Sequence, residues 1–116
     1  MKSQFVYAIA SWALAALSVV HMAVTPKYYA LHGDPAVWFF AGGVLIGLIA
    51  AVNLLNRAYG RVAPGLRAVA FGANIVLVGT FVAGGLLVRP TFTQWALVLV
   101  IMGPLCVLSP TKRALR

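Results

Sequence analysis

Two histidines and the only carboxylate of the chain lie close together in the sequence. His21 and His32 are eleven residues apart, and Asp34 follows shortly after. Imidazole and carboxylate groups bind zinc or copper, and a histidine near an apolar segment can contact haem or quinone. However, this spacing matches no motif in which helical geometry brings the ligands together. With Tyr28 these residues form a candidate site, but we expect no metal and no cofactor.

Other catalytic patterns are absent from the sequence. There is no carboxylate pair, no Cys–His pair, no GxSxG, no phosphate-binding loop and no HExxH motif. The single cysteine, Cys106, lies in an apolar run and is interpreted as a small buried hydrophobic residue. We therefore expect a non-catalytic protein, and the alternative is an enzyme or electron-transfer subunit that uses His21 and His32.

The composition points to a membrane. Of the 116 residues, 63% are hydrophobic and only 9% are charged. Soluble domains have about 25% charged residues, so this chain has too few charges to cover a surface that faces water. The basic residues give a net charge of +8, but beside apolar segments such residues act as topology signals, and we expect no nucleic-acid binding. The sequence predicts an integral membrane protein.

Four apolar segments have the length of membrane-spanning helices, which need roughly 20 residues with a range of about 17 to 25. The first is too long for the apolar core of a signal peptide, about 7 to 15 residues, and is interpreted as a helix that stays in the protein. The prediction is an all-α, four-helix membrane bundle in a single domain, with helices over 5–24, 36–55, 66–88 and 92–108.

Turn-forming residues separate the predicted helices. Asp34 is expected to cap the second helix, with Pro35 at its first position, where no N–H group is needed. After that helix the chain is expected to be broken by Asn56, Gly60, Pro64 and Gly65.

Basic residues set the predicted orientation. Seven of the nine lie on the side that holds both chain ends and the connection after the second helix, whereas only Lys27 and Arg89 lie on the other. Basic loops stay in the cytoplasm, so both ends are predicted to be cytoplasmic, in a bacterial inner membrane. The candidate site of His21, Tyr28, His32 and Asp34 then faces outward. The seven are Lys2, Arg57, Arg61, Arg67, Lys112, Arg113 and Arg116.

Small residues mark the predicted helix-packing faces, because they let helix backbones approach closely in lipid. The second helix contains a GxxxG pattern, which either packs within the bundle or mediates self-association. The predicted packing residues are Gly43 and Gly47 in the second helix, Gly72 and Gly79 in the third, and Ser11 and Ser18 in the first.

Polar residues inside the predicted spans have two interpretations. Asn53 and Asn74 could form hydrogen bonds between helices, or, with Thr80, they could line a pore or substrate path. No ionisable residue lies near the middle of any span.

The basic residues could also bind anionic lipid. No acid lies among Arg57, Arg61, Arg67, Lys112, Arg113 and Arg116, and basic residues beside a membrane attract anionic headgroups. The sequence resembles no family closely enough to carry a function. We expect a non-catalytic multi-pass membrane protein that self-associates or serves as an accessory subunit of a larger assembly. The alternative is a small oligomeric transporter or channel for a lipid or neutral solute.

Overall fold

The computed structural model describes residues 1–30 and 33–116, and these form helices without a strand. His32, from the candidate outward-facing site, lies outside the described residues. Three helices, Lys2–Ala23, Asp34–Tyr59 and Pro64–Val88, are long and apolar enough to cross a membrane, and Phe92–Leu108 is a shorter apolar helix. The helices are α1 (Lys2–Ala23), the one-turn α2 (Thr25–Tyr28), α3 (Asp34–Tyr59), α4 (Pro64–Val88) and α5 (Phe92–Leu108), followed by a 3₁₀ turn (Lys112–Ala114).

Capping residues mark the first turns of α5 and α3. Helix α5 begins with a capping box, in which the Thr91 side chain accepts from the Gln94 backbone N–H and the Gln94 side chain accepts from the Thr91 backbone N–H. At the start of α3 the capping residue is Gly33, and Asp34 is the first residue of the helix without a side-chain capping bond. The predicted cap at Asp34 is therefore wrong. Its exposed carboxylate still lies at the positive end of the helix dipole.

The connection between α3 and α4 is shorter than the sequence pattern suggests. Asn56, predicted to break the chain, lies inside α3. There its side chain is buried and donates to the Tyr7 hydroxyl of α1 and to the carbonyl of Ser109, the residue after α5. Pro64 likewise does not belong to the connection. It opens α4, where a missing N–H has no cost.

A helical hairpin forms the centre of the bundle. Helix α1 packs most extensively against α3, and α5 packs on α1, whereas α4 contacts α3 and α5. The core contains Tyr7 and Leu14 from α1, Ile49 from α3, and Met102 and Leu105 from α5. Of the three long helices, α4 is the least buried.

The C-terminal segment folds back onto the start of α1. The Ser3 hydroxyl donates to the Arg113 carbonyl at 3.1 Å, and the Gln4 side chain donates to the Leu115 carbonyl at 3.0 Å. Leu115 is fully buried, and the Arg116 backbone N–H donates to the Arg57 carbonyl at 2.9 Å. Both ends of the described chain therefore lie at one end of the bundle. We call it the basic end, because it holds Lys2, Arg57 and the segment from Lys112 to Arg116.

Candidate functional site

A cluster of polar side chains lies inside the bundle, in the half nearer the basic end. Tyr7, Asn53, Asn56 and Asn74 are all fully buried, and we call them the amide cluster. The Tyr7 hydroxyl donates to Asn53 Oδ1 at 2.8 Å and accepts from Asn56 Nδ2 at 2.9 Å. Asn53 and Asn74 donate to each other's carbonyl oxygen at 2.7 and 2.9 Å. The cluster thereby joins α1, α3 and α4.

Backbone carbonyls accept the remaining amide hydrogens of the cluster. Asn53 donates to the Ile49 carbonyl of its own helix at 2.9 Å. Asn74 donates to the Leu105 carbonyl of α5 at 3.2 Å, and Asn56 donates to the Ser109 carbonyl at 2.9 Å. Each amide thus donates two hydrogen bonds. Asn56 Oδ1 and Ser109 Oγ are the buried side-chain oxygens without a partner among the described residues.

The hydrogen bonds of the amide cluster restrict how the helices pack. An unpaired polar group in an apolar interior costs about 1 to 3 kcal/mol, so the directional bonds of the cluster favour one arrangement of four helices over others. The same bonds occupy the donors that a solute would need. Thr80 lies further along α4 and is exposed, so the structure does not bring it together with Asn53 and Asn74.

The GxxxG face of α3 is occupied by α1. A Cβ atom added at Gly43 would lie 2.6 Å from Met22 Cγ, and one added at Gly47 would lie 2.6 Å from Ser18 Oγ. The Ser18 hydroxyl donates to the Gly43 carbonyl at 2.7 Å. Ser11 is also buried on α1, where its hydroxyl donates to the Tyr7 carbonyl at 2.7 Å. Of the two interpretations of this face, the structure shows contact within the chain.

The small-residue face of α4 has the opposite environment. A Cβ atom added at Gly72 or Gly79 would meet nothing within 4 Å in the described chain. Neighbouring positions on this face, including Ala68, Val76 and Ala83, are exposed as well. The face lies opposite Asn74, which points into the bundle. The expected packing of Gly72 and Gly79 against another helix of this chain is therefore not seen.

The candidate outward-facing site does not assemble among the described residues. The His21 ring stacks on the Phe39 ring with 4.0 Å between the ring centroids. The Tyr29 ring lies on Phe39 as well, with 5.1 Å between their centroids. Tyr28 and Asp34 are exposed. The part of the chain that the structure describes contains no group of three metal-binding side chains. The stacked rings join α1 to α3, which is a packing role for His21.

The seven predicted topology residues lie at the basic end, where five have exposed side chains and two are half-buried. The Arg67 side chain of α4 donates to the carbonyls of Gly60 and Arg61, and these hydrogen bonds tie the α3–α4 connection to the start of α4. The exposed residues are Lys2, Arg61, Lys112, Arg113 and Arg116, and the half-buried residues are Arg57 and Arg67.

Two members of the amide cluster, Tyr7 and Asn56, are not among the candidate residues that the sequence predicts. The sequence pattern instead predicts that Asn56 breaks the chain between two helices. A signal was present, since Asn53 and Asn56 are three residues apart and therefore share one face of a helix. No feature of the sequence identified their partner Tyr7 on another helix.

Comparison with known proteins gives no relative: no protein-family model, no curated protein and no solved structure matches this chain.

Proposed function

We propose that this chain is a non-catalytic, multi-pass integral membrane protein that self-associates or serves as an accessory subunit, with α4 as its interface. The long axis of the molecule, 45 Å, corresponds to a bilayer with its headgroups, about 40 to 45 Å. Helix α5 has 17 residues, the lower limit for a span. It leads to a segment that packs on the start of α1, which supports a fourth crossing.

The proposed orientation places the basic end in the cytoplasm. Both ends of the described chain lie there, together with seven of the nine basic residues, whereas Lys27 and Arg89 lie toward the opposite end. Such a bias is typical of cytoplasmic loops. A bacterial inner membrane fits this distribution, and the basic residues of this end would contact anionic headgroups.

The bare face of α4 is the observation that carries the proposed association. Helices already in lipid associate through close backbone contact, for which small residues are needed. On α3 the spaces beside Gly43 and Gly47 are occupied by side chains of α1. On α4 the spaces beside Gly72 and Gly79 are open in the described chain. A helix of a second copy, or of a partner protein, could approach α4 there as closely as α1 approaches α3.

The carrier alternative has weaker support. Its proposed lining consists of Asn53, Asn74 and Thr80, but the two amides bond to each other and Thr80 is exposed elsewhere on α4. Association through α4 is therefore the function that the geometry favours.

Native mass spectrometry of the protein in mild detergent tests this proposal. Wild type should give a dimer, a higher oligomer or a stoichiometric complex with a co-purified chain. The double substitution Gly72→Ile, Gly79→Ile should give monomer, because branched side chains block the approach of another helix. Within the monomer, a Cβ atom at either position meets nothing within 4 Å in the described chain. Ala16→Ile, at an exposed position of α1, is the matched control and should behave as wild type. A monomer in every sample would contradict the proposal.

A further inference from the structure

An open groove at the basic end combines cationic and apolar side chains. It is lined by Met1, Lys2, Gln4, Phe5 and Arg57. Lys2 and Phe5 come from the first turns of α1, and Arg57 comes from the last turn of α3. A groove of this composition at the end of a membrane-spanning bundle lies at the level where headgroups meet acyl chains.

Arg57 has no anionic partner within the described chain. Its Nε atom is buried and has no acceptor, although a buried N–H group is normally paired. The only acid of the sequence, Asp34, begins α3, at the opposite end of that helix from Arg57. The Arg116 backbone N–H donates to the Arg57 carbonyl, so the chain end that carries this further basic residue lies beside the last turn of α3. No acidic side chain therefore lies beside the cations of this end.

An apolar track continues from the groove along α1. Phe5, Ile9 and Trp12 are spaced four and three residues apart and are all exposed, so they form one face that runs from the groove toward the middle of the helix. A soluble phosphate compound has no apolar group that could contact this face, whereas the acyl chain of a lipid could pack along it.

We propose that the groove binds one anionic phospholipid. Its phosphate group is held by Lys2 and Arg57, and one acyl chain lies along Phe5, Ile9 and Trp12. Basic pockets on the cytoplasmic side of membrane helices are suited to such headgroups. This inference rests on the proposed membrane insertion. It assigns the binding of anionic lipid to one site between α1 and α3, whereas a general attraction would involve all basic residues of this end.

Lipid titration followed by native mass spectrometry tests the site. The probes are phosphatidylglycerol, phosphatidylcholine with the same acyl chains, and glycerol 3-phosphate, which carries a phosphate without a chain. Wild type should retain one phosphatidylglycerol more tightly than either other probe. The double substitution Lys2→Gln, Arg57→Gln should weaken this binding by about ten- to thirty-fold, because each basic residue near an anionic surface contributes about five-fold.

A control with equal loss of charge separates the site from general electrostatics. Arg61→Gln with Lys112→Gln also removes two cations from the basic end, and it should change the affinity by less than about three-fold. An equal loss in both double variants would overturn the proposal, as would glycerol 3-phosphate binding as tightly as the lipid.

Further variants guard against loss of folding. Arg57→Lys keeps the charge and should retain most of the binding, whereas Phe5→Ala with Ile9→Ala should weaken phosphatidylglycerol without changing the charge. Unchanged binding in this apolar variant would contradict the acyl-chain track. Alkaline extraction of membranes tests insertion separately from lipid binding. If the protein stays in the membrane but does not bind phosphatidylglycerol selectively, the lipid site is contradicted and the proposed function is not. If the protein is extracted, the lipid site and the proposed function are both contradicted.

Discussion

The two halves of the bundle are held together by different kinds of contact. In the half nearer the basic end, the amide cluster forms directional hydrogen bonds among α1, α3, α4 and the end of α5. In the other half, apart from the hydrogen bond from Ser18 to the Gly43 carbonyl, the contacts between helices are steric and aromatic. There His21 stacks on Phe39, and the Trp95 ring packs edge-on to Phe81 at 5.0 Å and fits against Gly85.

This difference determines what each half can tolerate. A buried hydrogen-bonded network loses several partners when one member is removed, and its effects are not additive. A steric contact depends on the free space at one position and is independent of distant residues. We therefore expect polar substitutions near the basic end to be coupled, and substitutions near Trp95 to act alone.

Removal of Asn53 should have the largest effect. Asn53→Leu leaves the Asn74 amide without its reciprocal partner and the Tyr7 hydroxyl without its acceptor, at about 1 to 3 kcal/mol for each unpaired group. Allowing for the weaker values measured in membranes, we expect a loss of about 3 kcal/mol in the free energy of unfolding in detergent. Thr80→Leu, an equivalent change at an exposed position of α4, should be nearly neutral. Equal effects would mean that the cluster adds no stability.

A steric test in the other half should give an intermediate effect. A Cβ atom at Gly85 would lie 2.7 Å from Trp95 Cζ2, whereas one at the adjacent Gly84 would meet nothing within 4 Å. Gly85→Leu should therefore destabilise the protein by about 2 kcal/mol, in the range of overpacked sites, and Gly84→Leu should not. Thermal unfolding followed by circular dichroism measures both. A similar melting temperature for the two variants would show that α4 and α5 do not meet in this way.

Loss of one hydroxyl should have the smallest effect. Tyr7→Phe removes one donor from the cluster, but Asn56 still donates to the Ser109 carbonyl, so we expect a cost of about 1 kcal/mol. Tyr59→Phe, on an exposed side chain at the end of α3, serves as the control. When combined with Asn53→Leu, Tyr7→Phe should cost less than it does alone, and when combined with Gly85→Leu the two losses should add. Additive losses in both combinations would contradict the coupling of the network.

The sequence predicted the elements better than the contacts between them. Apolar length and turn residues were sufficient for an all-helical chain with long apolar helices, because these properties depend on local sequence. The partners of Asn53 and the environment of each glycine depend on how helices rotate about their axes. Gly43 and Gly72 both lie in small-residue patterns, yet α1 covers one of them and nothing in the described chain covers the other.

Photo-crosslinking in native membranes shows whether α4 carries a protein-binding face. Val76 on α4 and Trp12 on α1 are matched in exposure, at 64% and 62%. A photoreactive amino acid at position 76 should give adducts with a second copy or a partner chain, and at position 12 it should give adducts with lipid. Lipid adducts alone at both positions would contradict a protein-binding face on α4.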